Sequence, residues 1–470
     1  MKSSSAPCGI KEMLAIALPM VVSGSCDTIM IFTDRLFLAK LSPEYMNASM
    51  GGGLTSFMLI SFFGGLIGYS TALVAQYLGA GQKHRSSGVL AQALIIAVCA
   101  YPIMLLCKPI AYAMFSSMGV LEPQLSAQKL YFDLVLYGSI FGLVRGAFAG
   151  FFSGLGKTAV VMGASALCCV VNVALNWLWV FGNGGFPKMG ITGAAAATIV
   201  SGCVGMIVMA VVYARTAKAE GYTPFSAFRF DREIFTKLIR YGSASGIELL
   251  LNIVAFNLMV MMFHAHSLVT ATAATIMFNW DLVSFLPLIG IEIGVTSLVG
   301  RSMGEGRPDR AQVAVRSGTI IGVVYSLFIF VLFVFFTGPI VEIFRPTGDA
   351  GTFLAAVPIA EFMTRVAALY VTVEVFYFVL IGALRGAGDT WWAMGMTVTL
   401  HWLTVTAIWF VFHVLRGTPQ TAWTTIVVMF VIFSYVVWLR YKNGAWKSLR
   451  VVDREPVVLV NDAFHETTDI

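Results

Sequence analysis

Runs of about 20 apolar residues recur along almost the whole chain, and each is long enough to cross a hydrocarbon core of roughly 30 Å. No other feature narrows the fold so far. Inside a bilayer the backbone must satisfy its own hydrogen bonds, so long uninterrupted runs mean helices and not barrel strands. Composition agrees: 58% of the 470 residues are hydrophobic and only 11% are charged. A soluble domain carries about 25% charged residues to keep its surface hydrated. Most of this surface must therefore face lipid.

Twelve spans are expected, near 13–37, 50–76, 90–116, 131–152, 160–182, 190–213, 236–263, 271–300, 315–340, 355–383, 391–414 and 420–439. The first apolar run, Met13 to Ile31, is too long for a signal-peptide core, contains Asp27 and has no small-residue cleavage site after it. It reads as a retained span. The seven cysteines are odd in number, mostly within apolar runs and without metal-ligand spacing, so they read as small hydrophobes. The formal charge of +6 follows from an uneven distribution and does not point to nucleic acid. Roughly 21 of the 30 Lys and Arg fall on the side that holds both termini, and the positive-inside rule makes that side cytoplasmic. A multi-pass protein of the cell (inner) membrane is expected.

Residues 73–85 read LVAQYLGAGQKHR and residues 298–310 read LVGRSMGEGRPDR, an offset of 225; SGLGKT at 153–158 answers RGAGDT at 385–390, an offset of 232. Two motif pairs in one order at nearly one offset indicate an internal repeat. Six spans separate the copies, an even number, so each motif returns to the same membrane side. The halves are then related by an axis along the membrane normal, with a cavity expected between them. The expected organisation is an N-lobe over 1–213, a polar, basic linker over 214–235, a C-lobe over 236–440 and a cytoplasmic, solvent-exposed tail over 441–470.

A carboxylate at the centre of a span costs about 2.5–3.5 kcal/mol. Asp27, Asp34, Glu248, Asp281, Glu292 and Glu374 would together cost on the order of 15 kcal/mol if all faced lipid, so they face the bundle interior, water or an interface. Arg145 is a basic counterpart in the fourth span. Asp27 and Asp34 lie two turns apart on one face of the first span. Glu248 and Asn252, Tyr370 and Glu374, and Asn172 and Asn176 are each one turn apart. Carboxylate, phenol and amide oxygens suit a hard cation such as sodium, while a carboxylate alone can carry a proton. The alternative is that the acids pair with Arg145 or with helix termini; for Asp34, an interfacial ion pair with Arg35 is the rival. Glu361 and Arg365 read as a structural pair. Pro19 and Pro287 fall inside spans, as kinks or hinges. His264 and His266 lie at the outer end of the seventh span without an acidic partner, which argues against a metal site. No P-loop, GxSxG or HExxH motif occurs.

NVALNWLWVFGNGGFPKMGITGAAAATIVS at 172–201, ALRGAGDT at 383–390 and ALPMVVSGSCDTIMIFTDRLFLAKLS at 17–42 resemble, in order and spacing, the multidrug and toxic compound extrusion (MATE) family, its NorM-like members most closely. The resemblance covers roughly residues 10–440. It implies two six-helix lobes around a cavity and export of organic cations against entering sodium or protons. It places Asp34 at the family's first-span aspartate, Tyr370 and Glu374 at a tyrosine and carboxylate of the C-lobe cation site, and Asn172 and Asn176 at fifth-span polar positions. One departure stands out. Counted from the Gly-x-Pro pattern, here Gly242-Ser243-Ala244, the seventh-span glutamate falls at Asn252, whereas this chain carries Glu248 one turn earlier.

The resulting expectation is a secondary antiporter, not an enzyme, without a cofactor, with the lipid bilayer and not nucleic acid as its partner. Its substrates would be small organic cations, its coupling ion H+ or Na+, and its state monomeric. Coupling is assigned to Asp34, Glu248, Asn252, Tyr370 and Glu374, and the substrate cavity to Asp27, Asn172, Asn176 and Asp281. If sodium is the ion, Tyr370 and Glu374 hold it. Ion and substrate would compete for a shared acid during alternating access. Two rivals are a lipid or lipid-linked oligosaccharide flippase, which needs a strongly basic cavity, and a membrane-embedded transferase, which needs an interfacial cluster of His, Asp or Cys.

Overall fold

The structure, a computed structural model, describes residues 8–117, 124–225, 228–345, 351–449 and 451–452. Among these, twelve helices are long and apolar enough to cross a membrane: α1 (Ile10–Leu38), α2 (Tyr45–Gly79), α3 (Lys83–Ser116), α4 (Gln124–Gly154), α5 (Thr158–Phe181), α6 (Ile191–Glu220), α7 (Arg232–His266), α8 (Leu268–Gly304), α9 (Pro308–Phe335), α10 (Gly351–Ala387), α11 (Thr390–His413) and α12 (Pro419–Asn443). They match the expected spans in number and order. The chain is an all-helical, multi-pass membrane protein. Single-residue turns at Tyr69 and Cys107 interrupt α2 and α3.

Most helices run past their apolar runs, because a backbone can stay helical wherever neighbours cover it. α10 ends at Ala387 and not near residue 383, which draws Arg385 from an expected loop into the bundle. The linker also shrinks: α6 continues to Glu220 and α7 starts at Arg232, capped by the Asp231 carboxylate, which accepts from the backbone N–H groups of Glu233 and Ile234.

The repeat is visible in the backbone. Gly81 and Gly306 turn the chain with φ of 82° and 60°, and Gly156 and Gly388 do so with 74° and 96°, a region that a side chain disfavours. Each pair is separated by the offset found in the sequence. The two copies of the first motif also face each other. A Cβ on Gly79 would stand 2.0 Å from the Arg301 carbonyl oxygen, and one on Gly304 would stand 2.0 Å from the Gln76 carbonyl oxygen. The offset of 225 converts one contact into the other. These helix ends therefore cross in backbone contact on the side that carries both termini, and the halves are sealed together there. Gln76 Nε2 donates across this seam to the Gly386 carbonyl (2.7 Å), and Ser297 Oγ donates to the Ser153 carbonyl (2.9 Å).

Each half has its own apolar core, but the boundaries cross at the termini side. Cys8, Met13, Ile16 and Ala17 of the first half pack into the second half's core, while Ile234 and Leu238 at the start of α7 pack into the first half's core. The chain end does likewise. Trp446, fully buried in the second-half core, stacks on Tyr441 with ring centroids 5.1 Å apart, and Val451 and Val452 reach the first-half core. The expected solvent-exposed tail is thus docked as far as Val452: its apolar residues find the seam between the halves. The remainder of the tail lies outside the described residues.

Candidate ion and substrate sites

Three polar clusters are built into the bundle. The first belongs to the first half. Asp34 near the far end of α1 is buried, with Asn176 Nδ2 donating to Oδ1 (2.6 Å) and Thr198 Oγ1 donating to Oδ2 (2.8 Å). Asn172 Nδ2 donates to Thr198 Oγ1 (3.4 Å), which ties the fifth-span amides to the same network. Asp34 thus meets neutral donors on α5 and α6 and forms no ion pair with Arg35 among the described residues. The amide oxygens of Asn172 and Asn176 are buried without a hydrogen-bond partner among the described residues. Removing one donor here leaves a buried carboxylate under-satisfied, at a cost of about 1–3 kcal/mol. Asn176→Leu is accordingly expected to lower thermal stability of the detergent-purified protein by several degrees, and an unchanged melting temperature would contradict this network.

The second cluster belongs to the second half. Glu374 on α10 is buried, and Tyr370, one turn earlier, and Asp281 of α8 are the polar groups acting on it. Tyr370 is buried edge-on against Phe430, with centroids 4.9 Å apart. Glu374 Oε2 and Asp281 Oδ1 have no hydrogen-bond partner among the described residues. Each acid therefore keeps one oxygen that no side chain or backbone group of the described residues occupies. Among the described residues no group of three or more His, Cys, Asp and Glu side chains is placed to hold a metal ion.

The third cluster lies between the halves. Arg385 Nη2 donates to Glu248 Oε1 (2.6 Å), and its Nη1 donates to Glu292 Oε1. These three residues and Asn252 line a cavity of about 380 Å³. The opposite wall comes from the first half: Gly64, Gly65 and Gly68 of α2 and Gly146 and Gly150 of α4 stand there beside Met20, Tyr69, Thr71, Ala72, Ala149 and Ser153. Glu248 therefore does not join Tyr370 and Glu374, and Asn252 does not bring a neutral oxygen to them; both belong to the inter-lobe cavity. Asp281 goes the other way, from the expected cavity to Glu374.

The remaining expectations resolve simply. Asp27 does not share a site with Asp34 but pairs with Arg145 (3.2 Å), which also donates to Ser165 Oγ (3.2 Å). Glu361 and Arg365 form an ion pair at 3.0 Å. His264 and His266 bond to Thr275 and Thr270. Sequence reasoning missed Thr198 and the burial of Arg385. A threonine in an apolar run carries no signal of its own. The arginine did: it stands at the repeat position of Ser153, which lines the same cavity.

Comparison with known proteins gives a consistent picture. The MatE family model matches residues 19–178 and 244–405. A Thermotoga maritima protein named "Probable multidrug resistance protein NorM" is 26% identical over 461 residues, covering 95% of each chain. A Yersinia pestis protein named "Multidrug resistance protein MdtK" is 23% identical, covering 84% of this chain and 85% of its own. Among solved structures, an outward-facing multidrug resistance MATE family transporter of the MOP superfamily superposes with a TM-score of 0.84 at 20% identity, covering 93% of this chain and 96% of that one. A MOP superfamily transporter from Pyrococcus furiosus, described as having a binding pocket of reverse polarity, superposes with a TM-score of 0.83 at 21% identity over 93% and 96%.

Proposed function

The chain belongs to the MatE family, and from that premise we propose that it is a multidrug exporter, moving organic cations outward in exchange for an entering cation. The observation that carries this reading is the placement of the acids. One buried cluster stands in each half, and a separate acidic wall faces the cavity between them. In this reading the termini side is cytoplasmic, in the cell membrane, and the glycine seam closes it.

The geometry favours coupling through helices over competition for one acid. On α8, Asp281 and Glu292 are eleven residues apart; on α10, Glu374 and Arg385 are eleven apart. Eleven residues make about three turns and roughly 16 Å of rise, so each helix carries one member of both clusters on one face. A cation or proton taken up at Asp281 and Glu374 can then bias the α8–α10 pair, and with it the cavity wall. It shifts the equilibrium only by its differential affinity for the two states. A proton needs no more than the free carboxylate oxygens present, which supports H+ over Na+ as the driving ion.

The cavity's polarity also weighs against a lipid or lipid-linked oligosaccharide flippase. Two glutamates and one arginine give a wall of net charge −1, which repels a phosphate headgroup. The decisive experiment is efflux of a fluorescent organic cation from proteoliposomes under an imposed proton gradient and, separately, a sodium gradient. Export is expected under the proton gradient. Failure of both gradients across a range of cations would overturn the reading.

A further inference from the structure

Among the described residues, the charged side chains lining the inter-lobe cavity are Glu248, Glu292 and Arg385, and they are not equally open to it. The Arg385 side chain is 26% exposed, against 3% for Glu248 and 9% for Glu292. The arginine lies deep in the bundle, so its exposed surface runs along the cavity. A cation approaching this wall meets a guanidinium first, laid over the carboxylates that would attract it. The two carboxylates hold Arg385 differently. Glu292 of α8 stands where α8 and α10 are in close contact: Thr296 Oγ1 donates to the Gly382 carbonyl (3.0 Å), and a Cβ on Gly382 would stand 3.0 Å from Glu292 Cγ. Glu248 belongs to α7, whose backbone hardly meets that of α10, and Arg385 Nη2 reaches across to it (2.6 Å).

We propose that Arg385 is a tethered stand-in for the transported cation and thereby sets the substrate's charge: an organic cation replaces it on Glu248 while Arg385 keeps Glu292. Two carboxylates and one guanidinium leave a net charge of −1, which a single added positive charge balances. Each carboxylate then has a cationic partner with or without substrate. Leaving a buried carboxylate without one is the costly event, and the exchange avoids it. A second positive charge finds no acid left, and an uncompensated charge at that depth discriminates strongly against its bearer. The stand-in also lowers apparent affinity, because only molecules with Glu248 uncovered accept a substrate. Arg385 shares α10 with Glu374, so the arm that yields to the substrate hangs from the helix of the proposed ion site.

This inference rests on the reading of the chain as an exporter, but its test is one of binding. Purified full-length protein in detergent, at a mildly alkaline pH that favours the carboxylate forms, is titrated with N-methyl-4-phenylpyridinium and with methyl viologen. Both are biaryl cations of similar size; the first carries one positive charge and the second two. The wild type is expected to bind the monocation at least about tenfold more tightly. Arg385→Met uncovers both acids, so the dication should gain at least about tenfold relative to the monocation. Arg385→Met combined with Glu292→Gln restores a net charge of −1 without the stand-in. There the monocation should again be preferred, and should bind at least about tenfold more tightly than to the wild type. A merely structural arginine would weaken both probes alike and leave their ratio unchanged, and that result overturns the proposal, as does binding of neither probe to any of the three proteins. If Arg385→Met does not fold, the double variant decides alone: monocation binding no tighter than wild type overturns the proposal. If charge selection holds while proteoliposome export fails under both gradients, the exporter reading falls and the role of Arg385 stands.

Discussion

Glu374→Gln is expected to reduce gradient-driven export by at least about tenfold while leaving substrate binding measurable but no longer dependent on the driving ion. The amide keeps the shape of the side chain and removes both its charge and its ability to bind and release a proton. Glu374 is buried on α10 with one free oxygen, and Asp281 of α8 is the charge beside it. If these two acids take up the driving ion, neutralising one uncouples the gradient from the bundle. The inter-lobe cavity lies about 16 Å farther along α10 and is lined by other residues, so binding there is spared. Two measurements separate the effects: initial export rates in proteoliposomes, and equilibrium binding in detergent. Wild-type export by the variant would remove Glu374 from the coupling. Loss of binding together with export would mean a damaged fold.

The second large effect belongs to the seam. Gly79 and Gly304 each hold a helix end in backbone contact with the other half, and a Cβ at either would stand 2.0 Å from a carbonyl oxygen. A backbone atom cannot rotate aside, so the halves must part. Overpacking of this kind costs about 1–3 kcal/mol per site, and 3 kcal/mol moves a two-state equilibrium by more than about a hundredfold. The double variant Gly79→Val, Gly304→Val should therefore lose the sealed state and, with it, transport. Ser245 lines the cavity. In a cysteine-free background carrying Ser245→Cys, a membrane-impermeant maleimide applied to the termini side should label the double variant at least about tenfold faster. Gly163→Val is the control, because a Cβ there meets nothing within 4 Å. Equal labelling of the folded double variant and its parent would contradict the seam.

The twelve spans and their duplication were legible because both are local patterns. An apolar run of about 20 residues has one physical use, and a glycine that must turn the chain at positive φ leaves its letter in both copies. The Glu361–Arg365 pair, one turn apart, was legible for the same reason. What escaped was tertiary. The sequence shows that Glu248, Asp281, Glu292 and Glu374 need partners, but not which partner each finds. That depends on how far α10 continues: the apolar run stops near Ala383, the helix does not, and two further residues bring Arg385 between Glu248 and Glu292. The docking of Trp446 and Val451 was hidden similarly, as isolated apolar residues in a charged tail.

If the acids of one cluster and the wall of another are joined by α8 and α10, the coupling must run in both directions. The most direct measurement is ion movement driven by substrate alone. Proteoliposomes are loaded with a pH-sensitive dye and a transported quaternary amine, which cannot leave as a neutral base by diffusion, with no imposed ion gradient, and diluted into amine-free buffer. Outward flow of the amine is expected to acidify the lumen, and Glu374→Gln to abolish the acidification. Amine efflux by the wild type without any accompanying proton or sodium movement would contradict it.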